Sequence, residues 1–361
     1  MLIRDIQAVV VAVPVRYPIR SAVREADVVI DVLVEVLTDE GPSGVAYVAG
    51  FTPGKAAATV AMVADFAEGL RGTDATQIGA AWDRMWALGT LAGHSGIAMF
   101  AHSAIDMALW DLQGKLLGAP LHRLLGTRRT SVLAYASDGC WLHDDPALVA
   151  EEAAEFAAAG FRAVKVRLGR RDPELDMAAV EATRLAVGDG VNVLTDANQG
   201  WGRERARLWG GRLAAWGVGW LEEPLAAEDI AGLAALRGAL ATPITAGENA
   251  YGLEGIRALL EAGAVSTIMP DIQRIGGVTG WIAANALAEA WRVPITSHLF
   301  PEVSVHLLAS SRMAGPLEFV TWAAPLLVEP LTAHDGAVAV PDAPGLGLVF
   351  DPEAVARYRL G

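Results

Sequence analysis

Asp196, Glu222, Glu248, Asp271 and His298 follow one another at gaps of 26, 26, 23 and 27 residues, each just after a short apolar run. The runs are Val191–Leu194, Val218–Leu221, Pro243–Ala246, Ser266–Met269 and Val293–Thr296, and the stretches between them are rich in Ala, Leu, Arg and Glu. A strand, a helix and two short loops fill about that length, so the pattern predicts a parallel array of strand–helix units. Closed into a (β/α)8 barrel, such an array brings its strand C-termini to one mouth, where the catalytic groups of this fold sit. Three carboxylates and an Asp–His pair facing one mouth make a candidate site.

The rest of the chain fits around that array. Residues 1 to about 38 alternate apolar and polar, with Val28–Val36 a clear strand, and residues 55 to 118 read as helical. Within the latter, Ile105, Ala108, Leu109, Leu112 and Leu116 keep the spacing of one buried helix face. The strand–helix alternation begins at Ser131–Tyr135 and runs to about Val320, and a Pro- and Gly-rich tail follows. The expected organisation is α/β: an α+β capping domain over 1–125, a (β/α)8-type barrel over 126–325, and a segment 326–361 packing back on the cap. With 361 residues there is ample chain to bury both cores.

Charge and composition exclude several classes. A net charge of −14, with no basic run, argues against nucleic acid and anionic membrane surfaces as partners. No uncharged apolar stretch reaches the roughly 18 residues of a membrane span. The first residues, with Asp5 among them, do not read as a signal peptide. Cys140 is the lone cysteine, so no intrachain disulfide is available. A cytoplasmic protein is expected.

The candidate site has its own chemistry. Asp196, Glu222 and Glu248 offer hard oxygen donors from successive strand ends, which suits a Mg²⁺-like ion better than zinc. Without a cation, three crowded carboxylates require a raised pKa. Strand alternation sends Glu223 away from Glu222, so Glu223 is expected to pair with a cation behind the barrel. In Ala163–Leu168 the same alternation places Lys165 and Arg167 together, facing the interior, where buried cations require anionic company. Asp271 and His298 end neighbouring strands. A hydrogen bond between them would fix the imidazole tautomer and leave the second nitrogen free to take a proton.

These residues resemble the mandelate-racemase subgroup of the enolase superfamily, over essentially the whole chain. Ala104–Asp111, with Gly114-Lys115 and Pro120-Leu121, is similar to that family's N-terminal signature. Lys165-x-Arg167, Asp196-x-Asn198, Glu222-Glu223-Pro224, Gly247-Glu248-Asn249, Pro270-Asp271, Gly276–Trp281 and Ser297–Phe300 match its barrel motifs in order. The resemblance implies an essential Mg²⁺ on Asp196, Glu222 and Glu248, with the substrate carboxylate bound to it. It implies that Lys165 neutralises that carboxylate and that Glu318 hydrogen-bonds its far oxygen. Ser137 and Asn198 match positions near the metal or substrate. The α-proton would leave to His298 and the resulting enediolate would be held by fixed positive charge. A homo-oligomer acting on a small-molecule carboxylate is implied as well.

One departure bears on the reaction. Mandelate racemase carries a second lysine base where this chain has Arg167, and an arginine side chain stays protonated, with a pKa above about 12. Two-base racemisation is therefore disfavoured. Single-base abstraction by His298, followed by loss of a β-hydroxyl, is dehydration of an acid sugar, and Arg167 is left to bind a substrate group or assist its departure. The alternatives are a racemase or epimerase of a 2-hydroxy acid and, in another class, a non-catalytic barrel that binds a metal or carboxylate. Arg20–Asp27 is a candidate lid, in which Arg20 or Arg24 would favour a polar or dianionic substrate. Phe51, Leu299 and Phe319 would favour an apolar one.

Overall fold

The computed structural model describes residues 1–360. The chain opens with a long antiparallel hairpin, β1 (Ile3–Arg20) and β2 (Glu25–Thr38), and β3 (Gly44–Ala49) adds to β2. Helices α1 (Pro53–Leu70) and α3 (Ile97–Leu117) pack on this sheet, α2 (Ile78–Gly89) packs on both of them, and the single turn α4 (Leu121–Leu124) follows. Thr52 caps α1 by accepting from the Lys55 amide, with Pro53 in the first turn, so that boundary is written in the sequence.

The one-face reading of α3 needs correction. Ile105, Ala108, Leu109 and Leu112 are buried as expected, but so are His102, Ser103, Asp106 and Asp111 on the other sides. The helix lies between the capping sheet and the barrel, so it has no solvent face along most of its length. Its two buried carboxylates are partnered: Asp106 accepts from the amide and hydroxyl of Thr279, and Asp111 accepts from the amides of Val45 and Leu346.

The barrel strands are β4 (Ser131–Ala136), β5 (Ala163–Arg167), β6 (Asn192–Asp196), β7 (Leu221–Glu222), β8 (Ile244–Ala246) and β9 (Thr267–Ile268), each parallel to the next. Between them lie α5 (Pro146–Ala158), α6 (Pro173–Val187), α7 (Arg203–Leu213), α8 (Ile230–Ala239) and α9 (Gly252–Glu261). The seventh position is the run Val293–Thr296, between α10 (Gly277–Trp291) and α11 (Pro301–Ser310). Its Ile295 bridges to Ile268 on one side and Ala314 on the other. β10 (Leu317–Phe319) then pairs in parallel with β4 and closes the eight-stranded barrel.

After β10 the chain takes a 3₁₀ turn, Ala324–Leu326, and a hairpin of β11 (Ala333–His334) and β12 (Ala337–Ala339). β12 pairs antiparallel with the start of β4. The tail then reaches the cap: the Leu121 amide donates to Gly345 O, and the Leu360 amide, just past α12 (Pro352–Tyr358), donates to Val10 O. No described helix is long and apolar enough to cross a membrane.

Candidate active site

A solvent-open cleft of about 730 Å³ lies where the tip of the β1–β2 hairpin covers the C-terminal ends of the barrel strands. Ser21 organises the tip by accepting from the Arg24 amide. Ala22 is seated on the barrel loops: a Cβ added at Gly169 or at Gly200 would come within 2.9 Å of the Ala22 Cβ. The expected lid is therefore a strand hairpin docked on two glycines. Backbone strain gathers at the same place. Of the nine described non-glycine residues with positive φ, five line the cleft: Phe51, Asn198, Gln199, Glu223 and Leu299.

Lys165 is the electrostatic centre. Its ammonium lies 2.9 Å from Glu222 Oε1, 2.7 Å from Glu318 Oε1 and 3.4 Å from Asp196 Oδ2, and the side chain is buried. Burial lowers its pKa, but Glu222 and Glu318 outweigh burial and the net shift is upward. The charged form of Lys165 is thus favoured by its carboxylate neighbours. Burial likewise lifts Glu318, yet Lys165, His298 and Arg167 together hold it well below the usual carboxylate range. Glu318 accepts from Ser137 Oγ at 2.6 Å and from the Leu299 amide at 2.7 Å.

Across the cleft, His298 Nδ1 donates to Asp271 Oδ2 at 2.8 Å, and Nε2 lies 3.5 Å from Glu248 Oε2. Burial lowers the imidazole pKa, but Glu248 and Asp271 overcome it and raise the value to about 9. Asp271 is itself fixed by the Gln273 amide at 2.7 Å and by an ion pair with Arg274, whose guanidinium also donates to Glu248 O. Arg274 is missing from the sequence reading. Its signal was present, since it stands three residues after Asp271 at the entry to α10.

The metal-ligand candidates come from adjoining positions: Asp196 ends β6, Glu222 ends β7 and Glu248 lies two residues beyond β8. Among the described residues no three His, Cys, Asp or Glu side chains converge into a ready cage for an ion. Lys165 bridges Asp196 and Glu222, while Glu248 turns toward His298. The donor set nevertheless fits a hard cation. Glu222 lies well above the usual carboxylate range, through burial and the charges of Asp196, Glu248 and Glu318, which together exceed the pull of Lys165. Asn198 donates to both oxygens of Asp196 and leaves its own Oδ1 buried without a partner, a further oxygen at the same place.

Four expectations change. Glu223 does not pair with a cation behind the barrel. At φ 37° it leaves strand geometry, lines the cleft and accepts from Asn249 Nδ2 at 2.8 Å. Ser137 is not a wall of the cleft: it is fully buried and holds Glu318 and Arg167. Arg20 is not at the site either, because its guanidinium ties the hairpin together through Ile19 O, Ala26 O and Asp27. Phe319 points away, toward Phe161. Arg167 and Arg24 do line the cleft, and Trp141 and Trp322, which carry no periodic signal, complete its walls. The Arg167 guanidinium is pinned by Ser137 O and Oγ and by Lys165 O, and it stacks 4.1 Å from the Trp141 ring.

Comparison with known proteins agrees with this fold. The profile of the mandelate racemase / muconate lactonizing enzyme N-terminal domain matches residues 4–126, and that of the enolase C-terminal domain-like family matches residues 148–354. The chain is 35% identical over 323 residues to a 3,6-anhydro-α-L-galactonate cycloisomerase of Streptomyces coelicolor, covering 89% of each protein. A Bradyrhizobium enolase solved with magnesium and mandelic acid superposes with a TM-score of 0.94 at 34% identity, over 100% of this chain and 99% of that one. An L-talarate dehydratase of Polaromonas sp., solved with Mg and L-glucarate, gives a TM-score of 0.91 at 31% identity, over 100% and 98%. The chain belongs to the mandelate racemase / muconate lactonizing enzyme family of the enolase superfamily.

Proposed function

We propose that the protein is a Mg²⁺-dependent acid-sugar dehydratase in which His298 removes the proton α to a carboxylate. The observation that carries this reading is the arrangement of the cleft: an Asp271-held imidazole with Glu248 beside it on one side, and the Lys165–Glu318 pair beside Asp196 and Glu222 on the other. Asp196, Glu222 and Glu248 would hold the ion, which supplies positive charge to the bound carboxylate and to the enediolate that follows.

The chain's own residues divide the remaining work. Lys165 neutralises the incoming carboxylate. A carboxylate that draws Lys165 away removes the strongest pull holding Glu318 ionised, and Glu318 can then take a proton and donate to the far carboxylate oxygen. His298, held by Asp271, would take the proton at Nε2, and engagement of Glu248 as a ligand would lessen its upward pull on the imidazole. Asn198 orients Asp196. Arg167, immobilised on Trp141 and Ser137, offers a fixed positive charge and no second base, which favours elimination over racemisation. Residues 1–125 serve as the cap and 126–325 as the catalytic barrel.

Sugar acids and 2-hydroxy acids incubated in D₂O with Mg²⁺ and followed by NMR test this. A 2-keto-3-deoxy acid is expected from at least one sugar acid, and His298→Asn should reduce turnover by about 10²–10⁴-fold. Deuterium incorporation with inverted configuration and no keto product would instead establish a racemase or epimerase. Turnover that survives His298→Asn would remove the assigned base.

A further inference from the structure

Four arginines stand at or beside the mouth, and three have committed guanidinium groups: Arg20 within the hairpin, Arg167 to Ser137 and Lys165 O, and Arg274 to Asp271 and Glu248 O. Arg24 differs. Among the described residues its guanidinium takes part in no hydrogen bond and no ion pair, and its Nη2 is buried without a partner although the side chain lines the cleft. It lies over the Phe51 ring at 5.5 Å, and Arg274 lies near the same ring at 5.8 Å. Asp31 attracts it without pairing, and burial lowers its pKa.

A half-buried guanidinium has five donors in a planar fork that matches a carboxylate, and leaving them desolvated and unpaired is costly. The reacting carboxylate is already provided for at Lys165, on the barrel side. Arg24 is on the lid. Both line one cleft, whose walls also include the apolar side chains of Ile19, Val23, Phe51, Leu299 and Trp322. This suits a polyol chain with its C–H faces on apolar walls and an anion at each end.

We propose that Arg24 determines specificity by binding the second carboxylate of an α,ω-dicarboxylic sugar acid, which makes such diacids the preferred substrates over sugar monoacids and aryl 2-hydroxy acids. This deepens the acid-sugar reading above and rests on it.

The test compares six-carbon sugar diacids, the corresponding monoacids and mandelate, with wild type, Arg24→Gln and Arg24→Lys. Binding is read by calorimetry with Mg²⁺ and turnover by NMR. Wild type should bind and turn over the best diacid at least about 10²-fold better than the matching monoacid, and Arg24→Gln should erase most of that ratio, mainly through Kd and KM. Arg24→Lys should keep part of it. A wild-type preference for monoacids or mandelate would overturn the proposal. So would an Arg24→Gln enzyme, folded by circular dichroism, that loses affinity equally for all three classes. Diacid binding that depends on Arg24 with no α-proton exchange for any acid would uphold the subsite and overturn the dehydratase reading instead.

Discussion

His298 takes its proton affinity from its neighbours, so the substitutions that matter most act through charge at a distance from the transferred proton. Asp271 contributes both a hydrogen bond and a negative charge to the imidazole, and Arg274 offsets part of that charge. The two replacements should therefore move the pH–rate profile in opposite directions. Asp271→Asn removes an upward pull, so the limb on which activity rises with pH should shift to lower pH. The plateau should fall by about 10³-fold because the imidazole also loses its orienting partner. Arg274→Met leaves Asp271 with its full charge, so the same limb should shift to higher pH, and loss of the buried ion pair should reduce stability by roughly 3 kcal/mol. Profiles of kcat/KM against pH for both variants check this. A common direction of shift would mean that Arg274 acts on something other than Asp271.

At the scale of elements, the tip of the β1–β2 hairpin sits close over the barrel because two barrel loops present glycines to Ala22. Gly169 has φ 120°, and an added Cβ would lie 2.9 Å from the Ala22 Cβ. Gly169→Ala should therefore lift the hairpin tip and raise KM by about 10-fold, with Arg24 displaced along with it. Adding Ala22→Gly should recover the steric part of that loss and leave the part due to backbone strain, and a double-mutant cycle on KM separates the two. Additive effects would show that the hairpin does not rest on Gly169. The lid also marks where the sequence could be read and where it could not. The even spacing from Asp196 to His298 was legible because each strand–helix unit has a nearly constant length, and Lys165 and Arg167 were legible because β5 keeps strict alternation. Glu223 was not. A two-residue strand followed by φ 37° breaks the alternation that the reading assumed. Ser137 and Arg20 looked like contacts because they stand near the right segments, but only packing decides whether a side chain reaches the cleft or supports its wall. Trp141 and Trp322 sit on aperiodic loops that give no signal at all.

Across the whole molecule, cap and barrel are joined by buried polar contacts. Tyr47 on β3 donates to Glu302 on α11 at 2.5 Å, Gln273 accepts from the Ala49 amide, and Ser103 on α3 donates to Gln273 O. Gly277 permits the close approach of α3, since a Cβ there would lie 2.4 Å from Asp106 Oδ2. Asp31 is buried in this interface, where burial and the like charge of Glu302 raise its pKa to about 7 against the pull of Arg24. The folded state therefore binds the Asp31 proton more tightly than the unfolded chain does. The stability this confers is complete below the unfolded value near 4 and is lost as pH rises through about 7. With 1.36 kcal/mol per pKa unit, the loss is about 4 kcal/mol. Asp31→Asn has no proton to release, so the difference in unfolding free energy between wild type and the variant should move by about that amount in favour of the variant between pH 4 and pH 8. Urea titrations across that range measure it. Parallel stability curves would show that Asp31 is ionised in the fold at low pH, with Arg24 already engaged as its partner rather than free to meet a substrate.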